Sequence, residues 1–102
     1  MLEIRPNCEL CDKDLPADSG DACICSYECT FCRSCVDELL ENVCPNCGGG
    51  FVARPVRPKN VYREDTSIKF QPASDIRVNT KYSKSEIANF CQMIKNIPSQ
   101  SR

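Results

Sequence analysis

The chain has 102 residues, a formal net charge of −1, and ten cysteines but no histidine or tryptophan. A chain of this length forms one domain, or one small domain with an appendage. It contains no apolar run of the roughly 18 residues that a membrane-spanning helix needs, and its first residues, Met-Leu-Glu-Ile-Arg-Pro, are not those of a signal peptide. We therefore expect a cytoplasmic protein whose reduced thiols bind metal and do not form disulfide bonds.

The small net charge hides two halves of opposite sign. Residues 1–50 carry ten acidic and three basic side chains, a net charge of −7. Residues 51–102 carry four acidic and ten basic side chains, a net charge of +6. We therefore predict a metal module over residues 1–58 and a basic C-terminal extension over residues 59–102.

The acidic half has room only for short elements between its cysteines. Turns of the form Cys-x-x-Cys occupy residues 8–11 and 44–47, and we call them the first and second knuckles. Residues 12–21 contain proline, serine and glycine among four acids, which predicts an exposed loop. Short strands are predicted over residues 22–27 and 51–53.

A short helix is predicted between these strands, over residues 32–42. Its evidence is the helical spacing of Val36, Leu39, Leu40 and Val43. A helix that begins here would place its free N–H groups beside the cysteines at its start.

The basic extension is predicted to be irregular until a C-terminal helix. Two prolines in Arg54-Pro-Val-Arg-Pro-Lys predict an extended connector, and residues 61–82 are expected to hold one or two short strands at most. Ser83 and Glu86 form a capping box for an amphipathic helix over about 84–97. Its apolar face comprises Ile87, Phe90, Cys91, Ile94 and Ile97. This face is expected to pack on the module or to pair with a second copy of the chain.

Nine of the ten cysteines lie within residues 8–47. Four thiolates in a tetrahedron make a closed structural zinc site with no open position. Eight of the nine cysteines can therefore serve two ions. The ligands can be taken in order along the chain, or the pairs can interleave, with pairs one and three on the first ion and pairs two and four on the second.

The predicted helix favours the interleaved division. Its N-terminal N–H groups and dipole stabilise thiolates at Cys32 and Cys35, which places this pair opposite the first knuckle in a treble-clef arrangement. The predicted fold is thus a small, zinc-stabilised α+β module. The first predicted site is Cys8, Cys11, Cys32 and Cys35, and the second is Cys25, Cys29, Cys44 and Cys47. Cys23 is left over and either replaces Cys25 or is a small buried side chain.

This cysteine spacing resembles that of RING-type cross-brace domains. Thr30-Phe31 before Cys32 looks like the RING Phe-Cys, and Cys44-Pro-Asn-Cys looks like its final Cys-Pro-x-Cys, while Cys29 stands where that family usually has histidine. Residues 1–58, from Met-Leu-Glu-Ile-Arg-Pro-Asn-Cys to the glycines after the second knuckle, also resemble a family of short bacterial proteins of unknown function.

The RING resemblance implies a partner-binding face. In RING ubiquitin ligases, residues at the positions of Leu10 and Pro45 contact the conjugating enzyme. The helix region here offers Leu39 and Leu40 as further partner-binding candidates but no tryptophan, which is a departure from active ligases. The alternative is that Leu10 packs the module and Pro45 stiffens its turn. Gly48 stands where active ligases often have arginine, and this departure favours the packing role.

Four functions remain open from the sequence. The favoured one is a protein–protein interaction module with two structural Zn²⁺ ions and no enzymatic activity, because the chain offers neither an open metal position nor a histidine base. The alternatives are a ubiquitin-ligase-like adaptor, a nucleic-acid-binding protein that uses the basic tail, and an iron–sulfur or rubredoxin-like electron carrier. The tail arginines are expected to make contacts within the chain or with protein more than with nucleic acid, since the adjoining module is acidic.

Overall fold

A three-stranded antiparallel sheet lies at the centre of the computed structural model, which describes all of residues 1–102. The strands are β1 (Ala22–Ile24), β2 (Thr30–Cys32) and β3 (Val52–Ala53), in the order β2-β1-β3. Cys23 pairs with Phe31 on one side and with Ala53 on the other. The two predicted strands are therefore confirmed, and a third, β2, forms where the sequence pattern predicted none.

The strand predicted over residues 22–27 ends three residues early. The chain reverses immediately after β1, because the amide of Glu28 donates to the Cys25 carbonyl at 3.0 Å and the amide of Cys25 donates to the Cys29 carbonyl at 3.2 Å. Glu28 has a positive φ of 67°, as the tight turn requires. This turn brings Cys25 and Cys29 to the same end of the sheet.

The predicted helix after β2 is present, with π-helical winding over Cys35–Leu40. Glu41 and Asn42 then adopt left-handed conformations, with φ of 49° and 62°, and end the helix. Of its apolar side chains, Val36 and Leu40 are buried and Leu39 is half exposed. The helix thus packs one edge against the sheet and turns Leu39 towards the surface.

No strand forms in residues 61–82, which are irregular as predicted. The backbone instead makes single hydrogen bonds to the module at irregular intervals. Ser74 donates to the Ile4 carbonyl at 2.9 Å, Val78 to the Asn7 side chain at 3.2 Å, and Thr80 to the Glu9 carbonyl at 2.8 Å. We call residues 74–82, which follow the module surface in this way, the strap.

The C-terminal helix, α1, spans Lys84–Ile94 and is followed by a 3-10 turn, Ser99–Ser101. Its capping box is present as predicted, with Ser83 accepting from the Glu86 amide and Glu86 accepting from the Ser83 amide. The helix ends three residues before the predicted limit, and Ile97 lies outside it. No helix in the structure combines the length and the hydrophobicity needed to cross a bilayer.

One core joins the two halves of the chain. It contains fifteen buried residues, and eight of them are cysteines. The remaining seven are Leu15, Ala22, Phe31, Val36, Leu40, Val43 and Ile87. α1 packs on the module through Ile87 and Cys91 and makes no second core of its own. The division of the chain into a module over residues 1–58 and an extension over residues 59–102 stays a prediction.

Candidate metal centre

The first cysteine group lies between the first knuckle and the start of the π-helix. The sulfur atoms of Cys8, Cys11, Cys32 and Cys35 all lie within 4.8 Å of one another, and those of Cys11 and Cys32 are 3.8 Å apart. β2 ends at Cys32 and the helix begins at Cys35, so this strand–helix junction aims both sulfurs at the knuckle. The structure therefore brings together the four residues predicted for the first site.

The first knuckle is held closed by its own backbone. The amide of Asp12 donates to the Cys8 carbonyl at 2.9 Å, and the amide of Cys8 donates to the Lys13 carbonyl at 2.8 Å. Asp12 is left-handed, with φ of 65°. Cys8 is completely buried, whereas Cys11 faces solvent.

The second cysteine group lies between the β1–β2 turn and the second knuckle. The sulfur atoms of Cys25, Cys44 and Cys47 all lie within 4.8 Å of one another. Backbone amides point at two of them, Tyr27 N–H at Cys25 and Gly49 N–H at Cys47, each with a nitrogen–sulfur distance of 3.4 Å. Such amides favour thiolates, as a metal site requires.

Cys29, the fourth residue predicted for the second site, lies beside this group and not fully within it. At least one of its sulfur distances exceeds 4.8 Å, but its thiol faces those of Cys44 and Cys25. The Cys44 thiol, with help from the Asn46 side chain and the Cys25 thiol, lowers the pKa of Cys29 to about 5.

The electrostatics of both groups fit a bound cation. Burial raises the pKa of Cys25 to about 11 and raises that of Cys35, while a hydrogen bond to Cys29 raises that of Cys44. Neighbouring thiols cannot all ionise when no positive charge lies between them. A divalent cation at the centre of each group would reverse this balance, so metal binding is expected to release protons.

The donor atoms available are all sulfur. No histidine exists in the chain, and the one buried carboxylate nearby, Glu9, is engaged by Arg5 and by the Thr30 amide at 2.7 and 2.6 Å. Sulfur-only sets suit Zn²⁺ and iron. The two cysteine groups could hold metal ions and are consistent with two zinc sites.

The two remaining cysteines belong to neither group. Cys23 is buried in β1, where burial raises its pKa, and it is Cys25 that joins Cys44 and Cys47. Cys91 is buried on α1 and its thiol faces the Val43 carbonyl at 3.7 Å. Both are core side chains in this structure.

The face between the knuckles, where the partner residues were predicted, is bordered by α1. Leu10 and Leu39 line a cavity of about 70 Å³ together with Lys84, Ile87 and Ala88. Pro45 is buried and contributes to a neighbouring groove of about 260 Å³ with Tyr82, Glu86 and Phe90. Leu40 has no exposed surface and belongs to the core. The partner role of these residues stays a prediction.

Several tail arginines make contacts within the chain. Arg54 is buried and donates to the carbonyls of Arg5 and Pro16 at 2.8 and 2.9 Å. Arg57 donates to the Leu2 carbonyl at 2.7 Å, and Arg77 forms ion pairs with Asp12 and Asp14. The opposite charges of the two halves thus help to hold the strap on the module.

Sequence reasoning missed the polar residues on either side of Cys8. Asn7 is fully buried and clamps the strap, donating to the Val78 carbonyl at 2.9 Å and accepting from the Val78 amide at 3.2 Å. Glu9 is also buried, and burial raises the pKa of its carboxyl. A polar residue in a short turn is ordinarily exposed, so no pattern in the sequence pointed to either residue.

Comparison with known proteins supports the resemblance noted for residues 1–58. Residues 1–57 match the family described as "Protein of unknown function (DUF1272)". An uncharacterized protein of Rhizobium meliloti (strain 1021) is 56% identical over 78 residues, which cover 76% of this chain and 86% of the relative. No solved structure matches the chain. On the family match and this identity, the chain belongs to the DUF1272 family.

Proposed function

We propose that this chain is a protein–protein interaction module built around two structural Zn²⁺ ions. The observation that carries the proposal is the gathering of its cysteines into two compact groups, one of four and one of three with Cys29 beside it. Eight sulfurs suffice for two tetrahedral sites without an open position. On this proposal the ions build the fold and perform no catalysis.

The connectivity of the two groups supports a RING-like cross-brace. The first group joins residues 8–11 to residues 32–35, and the second joins the β1–β2 turn to residues 44–47, so the pairs alternate along the chain. A knuckle facing the start of a helix is the treble-clef arrangement predicted from the sequence. The module therefore combines the features of a treble clef with those of an interleaved two-metal site.

The composition of the core supports a structural role for the metal. Eight of its fifteen residues are cysteines, which leaves few large apolar side chains to offset the conformational entropy of folding. Domains this poor in apolar core usually depend on metals or disulfide bonds. Ion binding at the two groups would supply the missing stability.

Metal analysis of the purified chain tests the first part of the proposal. We expect two zinc ions per chain and no visible absorbance, since Zn²⁺ has a filled d shell. A coloured protein that contains iron would contradict the zinc proposal and support the electron-carrier alternative. The variant Cys44→Ser should retain one ion.

The proposed interaction surface comprises the face between the knuckles together with the adjoining side of α1. Its grooves of about 260 and 70 Å³ combine aliphatic and aromatic walls with a few charged side chains, as protein-binding surfaces often do. Leu39 is 50% exposed at this surface. It is the one large apolar side chain in the lining of these grooves that is exposed.

A substitution at this surface tests the second part. Partners captured by the full-length protein should be lost with Leu39→Lys and kept with Val56→Lys, since Val56 has a similar exposure of 54% but lies against residues 1–4. Capture that survives Leu39→Lys would contradict the proposed surface. Zinc content measured on both variants shows that the module remains folded.

A further inference from the structure

A buried carboxylate connects the first knuckle with the second cysteine group. Glu9 lies between Cys8 and Cys11 and is only 2% exposed. Its oxygen Oε2 accepts from the Thr30 amide at 2.6 Å and from Arg5 Nη1 at 2.7 Å. The backbones of Glu9 and Thr30 are also hydrogen-bonded, since the amide of Glu9 donates to the Thr30 carbonyl at 2.9 Å. Thr30 directly follows Cys29, so Glu9 bonds to the residue next to this sulfur.

The other carboxylate oxygen closes a ring of hydrogen bonds with the second knuckle and the strap. Asn46, between Cys44 and Cys47, donates from Nδ2 to Glu9 Oε1 at 3.4 Å. Its Oδ1 accepts from the Thr80 hydroxyl at 3.0 Å. The amide of Thr80 donates to the Glu9 carbonyl at 2.8 Å, which returns the ring to its start.

Through this ring, Glu9 bonds to the residue that follows Cys29 and to a residue that lies between Cys44 and Cys47. Asn46 also faces the Cys29 thiol. Groups that hydrogen-bond around a ligand set orient the ligands, and their substitution typically lowers metal affinity about 10- to 100-fold. Here Asn46 and Glu9 are also hydrogen-bonded to Thr80 of the strap, which leads directly into α1.

We propose that Glu9 is a positioning residue that couples metal binding at the second cysteine group to attachment of the strap, and through the strap to α1. A bound ion holds Cys29 and the second knuckle in place, and with them Thr30 and Asn46, the two donors that orient Glu9 beside Thr80. Loss of the ion frees both donors and removes one of the anchors of the strap. The metal content of the second group therefore controls how firmly α1 covers the face between the knuckles.

The proposal concerns regulation of the proposed interaction surface and rests on metal binding at the second group. Coupling between two sites is reciprocal. Loss of the strap's own hydrogen bond in the ring, which touches no sulfur ligand, should therefore alter metal release from the second group. This expectation separates coupling from a local structural role of Glu9.

The test uses full-length protein loaded with two cadmium ions and the variants Glu9→Gln and Thr80→Val. The ¹¹³Cd resonance of the second group is identified by its change in Cys47→Ser. Glu9→Gln should release this ion to a chelator at least about tenfold faster than the wild type, with faster hydrogen exchange at the Thr80 amide and in α1. Thr80→Val, which removes the hydroxyl that donates to Asn46 Oδ1 and accepts from the Tyr82 amide at 3.5 Å, should speed the same release about fivefold.

Arg77→Gln is the matched control, because it breaks strap contacts to Asp12 and Asp14 without touching the ring. It should leave release from the second group unchanged. Release at the wild-type rate in both Glu9→Gln and Thr80→Val would overturn the coupling, as would equal acceleration by Arg77→Gln. A wild-type chain that binds no metal at the second group would overturn the proposed function as well. Two bound ions with unaltered release in the variants would overturn the coupling alone.

Discussion

The two halves of this chain are held in place by different kinds of interaction. Residues 8–47 converge on two groups of sulfur atoms, and their core is largely cysteine. The strap and α1 attach instead through individual hydrogen bonds, exposed ion pairs and the two buried side chains of Ile87 and Cys91. On the proposed zinc binding, the first arrangement depends on the bound ions as a unit, whereas the second consists of small contributions that can be removed one at a time. Substitutions in either half, and removal of metal, can test this difference.

Removal of metal is expected to have the largest effect. Structural zinc contributes on the order of 10–16 kcal/mol in peptide models at neutral pH, more than the total stability of most small domains. A strong chelator should therefore unfold residues 8–47 and release α1 with them, because Ile87 and Cys91 pack against this core. Loss of dispersed amide resonances, restored by added zinc, is the measurement. Retained tertiary structure in the metal-free protein would refute the structural role.

Substitution of one ligand should remove one ion, whereas substitution of a spare cysteine should remove none. Cys44→Ser is expected to lower the metal content from two ions to one and to destabilise the module strongly. Cys23→Ala keeps both ions and costs about 1 kcal/mol, as is typical of a small change in a core. Metal stoichiometry and thermal unfolding distinguish the two. A lost ion in Cys23→Ala would mean that Cys23 is a ligand.

The apparent metal affinity should fall as the pH falls. Burial raises the pKa of Cys25 to about 11, and the pKa values of Cys35 and Cys44 are also raised, so these thiols hold protons at neutral pH that an incoming ion must displace. Calorimetric titration in buffers of different ionisation enthalpy should detect several protons released per ion. Binding that is independent of pH would contradict thiolate ligation.

Truncation of Ile87, one of the two buried residues of α1, should loosen the extension and leave the metals bound. Ile87→Ala removes a side chain that is 3% exposed, and such changes cost about 2–5 kcal/mol. Met93→Ala on the same helix is the control, because Met93 is 75% exposed. Hydrogen exchange in α1 should rise in the first variant alone, with two ions retained in both. Loss of metal in Ile87→Ala would mean that the two halves are not separable in this way.

The smallest expected effect is at the start of α1. Ser83→Ala removes the side chain that accepts from the Glu86 amide and should cost about 1 kcal/mol. Gln92→Ala, at an exposed position of the same helix, should be neutral within experimental error. Thermal unfolding followed by far-ultraviolet circular dichroism compares the two. Equal stability of the two variants would show that the cap does not contribute measurably to the stability of the protein.

The sequence by itself determined the features that depend on local chemistry. Paired cysteines at knuckle spacing predicted two metal-binding groups, and the capping box with its apolar face predicted α1 to within three residues at its end. Both patterns have short-range physical causes: a tight turn brings two sulfurs to one ion, and a helix repeats every 3.6 residues. The sequence left open whether Cys23 or Cys25 joins the second group. The position of the β1–β2 turn places Cys25 in that group and leaves Cys23 outside it.

Only the tertiary structure decided what lies between these elements. The burial of Asn7 and Glu9 depends on contacts between residues far apart in the chain. So do the course of the strap and the packing of α1 on the face between the knuckles. Such contacts leave no periodicity in the sequence, because each depends on a single side chain meeting a single partner. The tertiary structure therefore joins the module and the basic tail in one core, and polar residues beside the two cysteine groups attach the tail.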